Sequence, residues 1–120
     1  MTRMTLEQKR AQHAWEKAGQ GIGAHGKDYV NDAKGLPALI MNSGLMQVMA
    51  FCHDKGGRHE TLAGHLRDWL HEQLGTPKDF EGFMQEMMQA DSRRYQQVTS
   101  EAFAWLKWLR QMAAARAGGD

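Results

Sequence analysis

Apolar residues return every three or four positions over most of the chain, and no stretch alternates residue by residue. That period is helical rather than extended. A first helix is predicted over about 6–18, with Met4, Ala11, Ala14, Trp15 and Ala18 as its apolar stripe. Thr5-Leu6-Glu7-Gln8 opens it, since a threonine followed three residues later by a glutamine makes a capping box. GQGIGAHG, residues 19–26, carries four glycines in eight residues and is expected to break or loosen that helix. A second helix then runs from about Lys27 to Lys34.

LPALIMNSGLMQVMAF, Leu36 to Phe51, is the most apolar run and also holds Pro37, Asn42-Ser43 and Gly44. Proline suits the first turn of a helix and is poor inside one. A short helical piece is therefore expected over about 36–41, ended at Asn42 or Ser43, which would cap the next helix. That next helix, about 44–55, is apolar nearly all round and is expected to be buried nearly all round. The punctuation marks a sharp corner between two helices.

Further helices are predicted over about 59–74, 78–89 and 92–115. In the first of these Leu62, Leu66, Trp69 and Leu70 point inward and Gly75 ends it. Thr76-Pro77-Lys78-Asp79 would cap and open the second. The last carries Val98, Ala102, Trp105, Leu106, Leu109 and Met112 on one face. The expected fold is all-α: one domain over 1–120, a compact bundle of five to six helices, flexible at 19–26 and 116–120.

Scarce β-branched residues and plentiful Ala, Met, Leu, Gln, Glu and Arg agree with helix. The 42% hydrophobic and 24% charged content is that of a soluble globular domain. No apolar signal segment opens the chain and no run reads as a membrane span, so a cytoplasmic location is expected. The one cysteine, Cys52, excludes an internal disulfide and reads as a buried, inert thiol. Net charge is only +1, low for a free-standing nucleic-acid binder. It is unevenly spread: residues 1–34 and 92–120 are basic, and 55–91 acidic. The surface is polarised only if the fold brings the two ends together.

His53, His59, His65 and His71 recur six apart. Six residues turn a helix by about 240° net, so His59, His65 and His71 diverge and do not share an ion. His65, Asp68 and Glu72 do share a face, which a solvated surface explains as well as a metal. No nucleophile elbow, phosphate loop or dinucleotide fingerprint is present. No catalytic residue, metal, cofactor or small-molecule substrate is assigned.

Cations give a better signal. Arg10, His13 and Lys17 form a stripe on the first helix with Lys9 beside it, opposite Ala11, Ala14, Trp15 and Ala18. A row of cations on successive turns can track phosphates. In the last helix Phe103, Lys107 and Arg110 form a second stripe away from the core face, and Arg93 is more available than Arg94. An aromatic among cations can stack on a base or contact another subunit. The candidate nucleic-acid contacts are thus Lys9, Arg10, Lys17, Arg93, Lys107 and Arg110. The candidate subunit contacts are Phe103 and Trp108.

Two segments together resemble a known family. GLPALIMNSGLMQVMAF has the Leu-Pro, an apolar run, Asn-x-Gly-Leu and an apolar helix ending Ala-Phe. YQQVTSEAFAWLKWLRQMA, 95–113, has Thr-x-Glu-Ala followed by aromatic and leucine pairs and basic residues. With Arg10-Ala11-Ala14 they cover roughly half the chain, in order. The chain is similar to the small all-helical subunit of the Cmr-type (type III-B) CRISPR effector complex. The resemblance implies a non-catalytic subunit that stacks in a short filament beside the backbone subunits. It would help hold guide and target RNA through basic surface, while cleavage belongs to the backbone subunit and cyclic-nucleotide synthesis to the large one. The partners implied are those subunits, further copies of the chain, CRISPR RNA and target RNA. The Csm-type small subunit is a similar helical bundle; the Leu-Pro…Gly-Leu corner favours the Cmr type. GQGIGAHG departs from the lysines that family members often carry there.

Two other classes stay open: a helical protein-interaction adaptor with no RNA role, served by nine methionines and marginal aromatics, and a small metalloenzyme on the His65-Asp68-Glu72 face.

Overall fold

Thr5 opens the first helix as its sequence predicts. Its hydroxyl accepts from the Gln8 N–H at 3.1 Å, and the Gln8 side chain accepts from the Thr5 N–H at 2.7 Å. In the computed structural model, which describes residues 3–118, this helix is α1 (Leu6–His25) and runs through the glycine segment expected to break it. Two of the glycines make room for neighbours. A Cβ on Gly21 would overlap the Tyr29 ring, and one on Gly19 would lie 2.8 Å from the Arg116 guanidinium. Packing at these two close approaches offsets the intrinsic cost of helical glycine, about 1 kcal/mol each. Gly26, at φ +61°, turns the chain into the next helix.

That helix, α2 (Lys27–Ser43), is also continuous where a break was expected, with Pro37 inside it. Pro37 withholds one N–H and Gly35 adds backbone freedom. Both are outweighed by an apolar face that is buried on either side of them: Tyr29, Val30, Ala33, Leu36 and Ile40. The corner lies at Gly44, with φ +86°, before α3 (Leu45–Lys55). Neither Asn42 nor Ser43 supplies a cap, since α3 begins without a side-chain cap bond. Tyr95 satisfies that end instead, its hydroxyl accepting from the Met46 N–H at 3.1 Å.

α3 is not buried all round. Leu45, Val48, Met49 and Cys52 face the core, while Phe51 stands 44% exposed. Next come α4 (Gly57–Leu74), ended by left-handed Gly75, and α5 (Phe80–Gln89). The cap of α5 is Asp79 rather than Thr76: its carboxylate accepts from the Gly82 N–H at 2.7 Å. α6 (Ser92–Arg116) is capped by Asp91 and is the longest element. Its predicted inner residues Val98, Ala102, Trp105, Leu106 and Leu109 are buried. The expected loose end at 116–120 begins with the last helical residue, Arg116, and a turn at Ala117–Gly118; its last two positions lie outside the described residues.

α1 and α6 lie side by side and run the same way, for Arg10 meets Glu101, His13 meets Trp105 and Trp15 meets Arg116. α4 runs against both, joining Asp68 to His13 and Leu74 to Arg94. One continuous apolar core draws on all six helices. The molecule is a slab of 42 × 41 × 23 Å. No helix among the described residues is long and apolar enough to cross a membrane.

Candidate nucleic-acid interface

The two basic chain ends do come together, as α1 and α6. α6 holds a single acid, Glu101, and it points inward. There it accepts from Arg10 Nε at 2.7 Å, Arg10 Nη2 at 2.8 Å and Trp69 Nε1 at 3.1 Å. Burial alone would push this carboxyl up, but the three donors and the Arg10 charge outweigh it and hold the carboxyl below its ordinary value. With its acid turned inward, α6 presents outward only neutral and basic side chains. At 100° per residue, Arg93, Gln96, Ser100, Phe103, Lys107 and Arg110 share one face. Arg93, Lys107 and Arg110 are exposed, and none makes an ion pair among the described residues. Arg94 is tied down by the Leu74 carbonyl at 2.7 Å and Gln97 at 3.0 Å. Arg93 is therefore the available member of that pair, as the sequence suggests.

The α1 stripe is oriented differently from the expectation. Arg10, His13 and Lys17 do not lie opposite Ala14 and Ala18; they flank that core face. Counting from Arg10 in steps of 100°, Ala14 falls only about 40° away. Arg10 is thus committed to Glu101, and Lys17 Nζ lies 3.5 Å from Asp68 Oδ2. Trp15, placed in the core stripe by its spacing, is 44% exposed under the Arg116 guanidinium, which sits 4.4 Å from its ring centre. Lys9 is exposed and makes no ion pair among the described residues. Phe103 and Trp108 are half-buried. Trp108 lines an open concavity with Lys107, Arg10 and Glu7 between the two helices.

His13 is the residue that sequence reasoning placed worst. It is buried, its Nδ1 meeting Trp105 Nε1 at 2.9 Å and its Nε2 meeting Asp68 Oδ2 at 2.8 Å. With Glu72 it forms a group whose ligand atoms lie within 4.8 Å of one another. That group, rather than His65 with Asp68 and Glu72, is the metal-like arrangement. Its hydrogen bonds oppose such a use. Indole N–H only donates, so Nδ1 is unprotonated and the neutral ring carries its proton on Nε2, aimed at Asp68. An ion at Nε2 would have to displace that proton while Nδ1 remained an acceptor, which leaves an imidazolate.

The spaced histidines diverge as expected. His53 stacks on Phe80, His59 meets Phe51 edge-on, His65 bonds the Tyr29 hydroxyl at 2.7 Å and His71 the Thr76 carbonyl at 2.9 Å. Burial, reinforced by Lys17, lowers His65 to about 4. Cys52 is buried and its thiol is pushed up to about 11 by that burial.

The profile of the family described as CRISPR-associated protein (Cas_Cmr5) matches residues 6–116. A Thermus thermophilus protein described as CRISPR system Cmr subunit Cmr5 is 29% identical over 113 residues, 92% of this chain and 95% of that protein. A Thermotoga maritima protein of the same description is 31% identical over 96 residues, 78% of this chain and 70% of its own. The crystal structure of a CRISPR-associated Cmr5 family protein from Thermus thermophilus superposes with a TM-score of 0.80 at 27% identity. The superposition covers 94% of this chain and 97% of that one. The family match, the two relatives and the shared fold agree with the corner and closing-helix motifs: this chain belongs to the CRISPR-associated Cmr5 family.

Proposed function

We propose that the chain is a non-catalytic small subunit of a type III-B CRISPR ribonucleoprotein effector, acting in antiviral defence in the cytoplasm. It stacks with copies of itself in a short filament beside the backbone subunits and helps hold guide and target RNA. The observation that supports this most is the outward face of α6. Its acid is turned inward onto Arg10 and Trp69, and Arg93, Lys107 and Arg110 are left exposed without carboxylate partners among the described residues. Such a row carries phosphate contacts. Lys9 stands apart from it on α1, beside Glu16 and Glu72 of the α1–α4 concavity, whereas Arg10 and Lys17 serve the fold. Trp108 serves as a subunit contact. A low net charge fits weak RNA binding per copy, summed along a filament. A structural role fits His13 too, because both its ring nitrogens are engaged within the protein.

One observation favours a second reading, a protein adaptor without an RNA role. Leu39 and Phe51 are 45% and 44% exposed and line one concavity between α2 and α3, an apolar surface suited to a protein partner. Native purification of a tagged copy from its host separates the two. Repeat-derived RNA of fixed length together with larger subunits is expected; a clean complex lacking RNA would leave the adaptor reading.

A further inference from the structure

The N-terminal half of the α6 face has features that a phosphate track does not need. Phe103 is half-buried in the middle of the basic stripe. It lies in an open, shallow concavity along α6 that also takes in Arg93, Tyr95, Gln96, Gln97, Thr99 and Ser100. The amides and hydroxyls there offer both donors and acceptors. The Thr99 hydroxyl is buried and has no hydrogen-bond partner among the described residues. Along the helix axis Phe103 lies roughly 15 Å from Arg93 and 6 Å from Lys107. Cations thus stand on both sides of an aromatic face that is lined by polar groups.

We propose that this concavity holds an unpaired nucleobase, stacked on Phe103, with its edge toward Gln96, Gln97 and Ser100, its own phosphate toward Lys107 and phosphates further along the strand toward Arg93. The proposal rests on the RNA-binding reading above and adds to it. The subunit grips single-stranded nucleotides, whose bases are free to stack, in preference to a duplex of the same charge. Charge complementarity selects RNA over an apolar protein segment, because no carboxylate lines the concavity.

The full chain is small enough for solution NMR at low salt. It is titrated with a single-stranded hexaribonucleotide and with the same hexamer made abasic. The base-bearing hexamer is expected to shift the Phe103 ring protons and the Gln96 and Gln97 side-chain amides, and the abasic one to move only the Arg93, Lys107 and Arg110 signals. Phe103→Leu keeps the apolar volume under the stripe and removes the aromatic face. It should weaken the base-bearing hexamer roughly five-fold or more, the lower end of aromatic–base stacking, and leave the abasic one unchanged. Gln97→Ala, an exposed substitution that spares the core, should weaken the same ligand less. Equal binding of both hexamers, with no effect of Phe103→Leu, would overturn the base site and leave the phosphate reading standing. Altered self-association of Phe103→Leu with unchanged RNA binding would also overturn it, in favour of a subunit contact. Absence of shifts from either hexamer would overturn both the base site and the phosphate track.

Discussion

Glu101 decides whether the seam between α1 and α6 holds. It is 9% exposed and serves donors from two other helices. Glu101→Gln leaves the Arg10 guanidinium without its counter-charge in a partly buried site, and should cost about 2–3 kcal/mol in urea unfolding. Arg110→Glu, on the exposed face of the same helix, should change stability by no more than about 0.5 kcal/mol. Burial of the His65 ring makes the fold less stable in acid. Its folded-state pKa of about 4 lies below the ordinary value of 6.5, and Lys17, His13, His25 and Asp68 surround it. A histidine depressed in this way contributes stability above pH 6.5 and loses it as pH falls toward 4. The unfolding free energy should therefore drop across that window, and less steeply in His65→Gln. The network around His13 was not legible in the sequence: spacing puts His13 beside cations, and only the parallel packing of α1 on α6 brings Trp105 to its Nδ1.

At the scale of elements, helix type and order were legible and the ends were less so. A capping side chain acts where it holds the position just before a helix, as Thr5 does for α1, and Asn42 and Ser43 instead lie inside α2 with Gly44 at the cap position of α3. Tyr95 from a distant helix caps α3 instead. Glycine and proline misled for a related reason. α1 passes through its glycines because Gly21 lets Tyr29 in and Gly19 lets Arg116 in, and α2 passes Pro37 on a buried face. Two substitutions of opposite sign separate these roles. Gly21→Ala forces a Cβ into the Tyr29 ring and should destabilise by about 1–3 kcal/mol. Gly23→Ala, with nothing within 4 Å of its Cβ, should raise stability by about 0.5–1 kcal/mol through helix propensity. Thermal midpoints that moved the same way in both would refute the packing role given to Gly21.

For the whole molecule, the polarised charge of the sequence becomes a surface because α1 and α6 pack side by side. Of the six candidate cations, the fold turns Arg10 and Lys17 inward and leaves Lys9, Arg93, Lys107 and Arg110 outward. The core face of α6 is readable from its period and leaves Arg93, Lys107 and Arg110 outward, whereas on α1 Arg10 and Lys17 border the core face rather than lie opposite it. His13 gives no reason to expect metal dependence: millimolar zinc or manganese should leave the thermal midpoint unchanged, and a rise would show that Trp105 yields its bond. The most direct test of the account is target-RNA binding by the assembled effector as a function of salt, with wild-type subunit and with the Arg93→Glu, Lys107→Glu, Arg110→Glu triple variant. Each lost phosphate contact removes roughly 0.7–0.9 from the slope of log affinity against log salt. The account predicts a slope shallower by about 2 or more and weaker binding in a complex of unchanged composition. An intact complex with the same affinity and the same slope would contradict it.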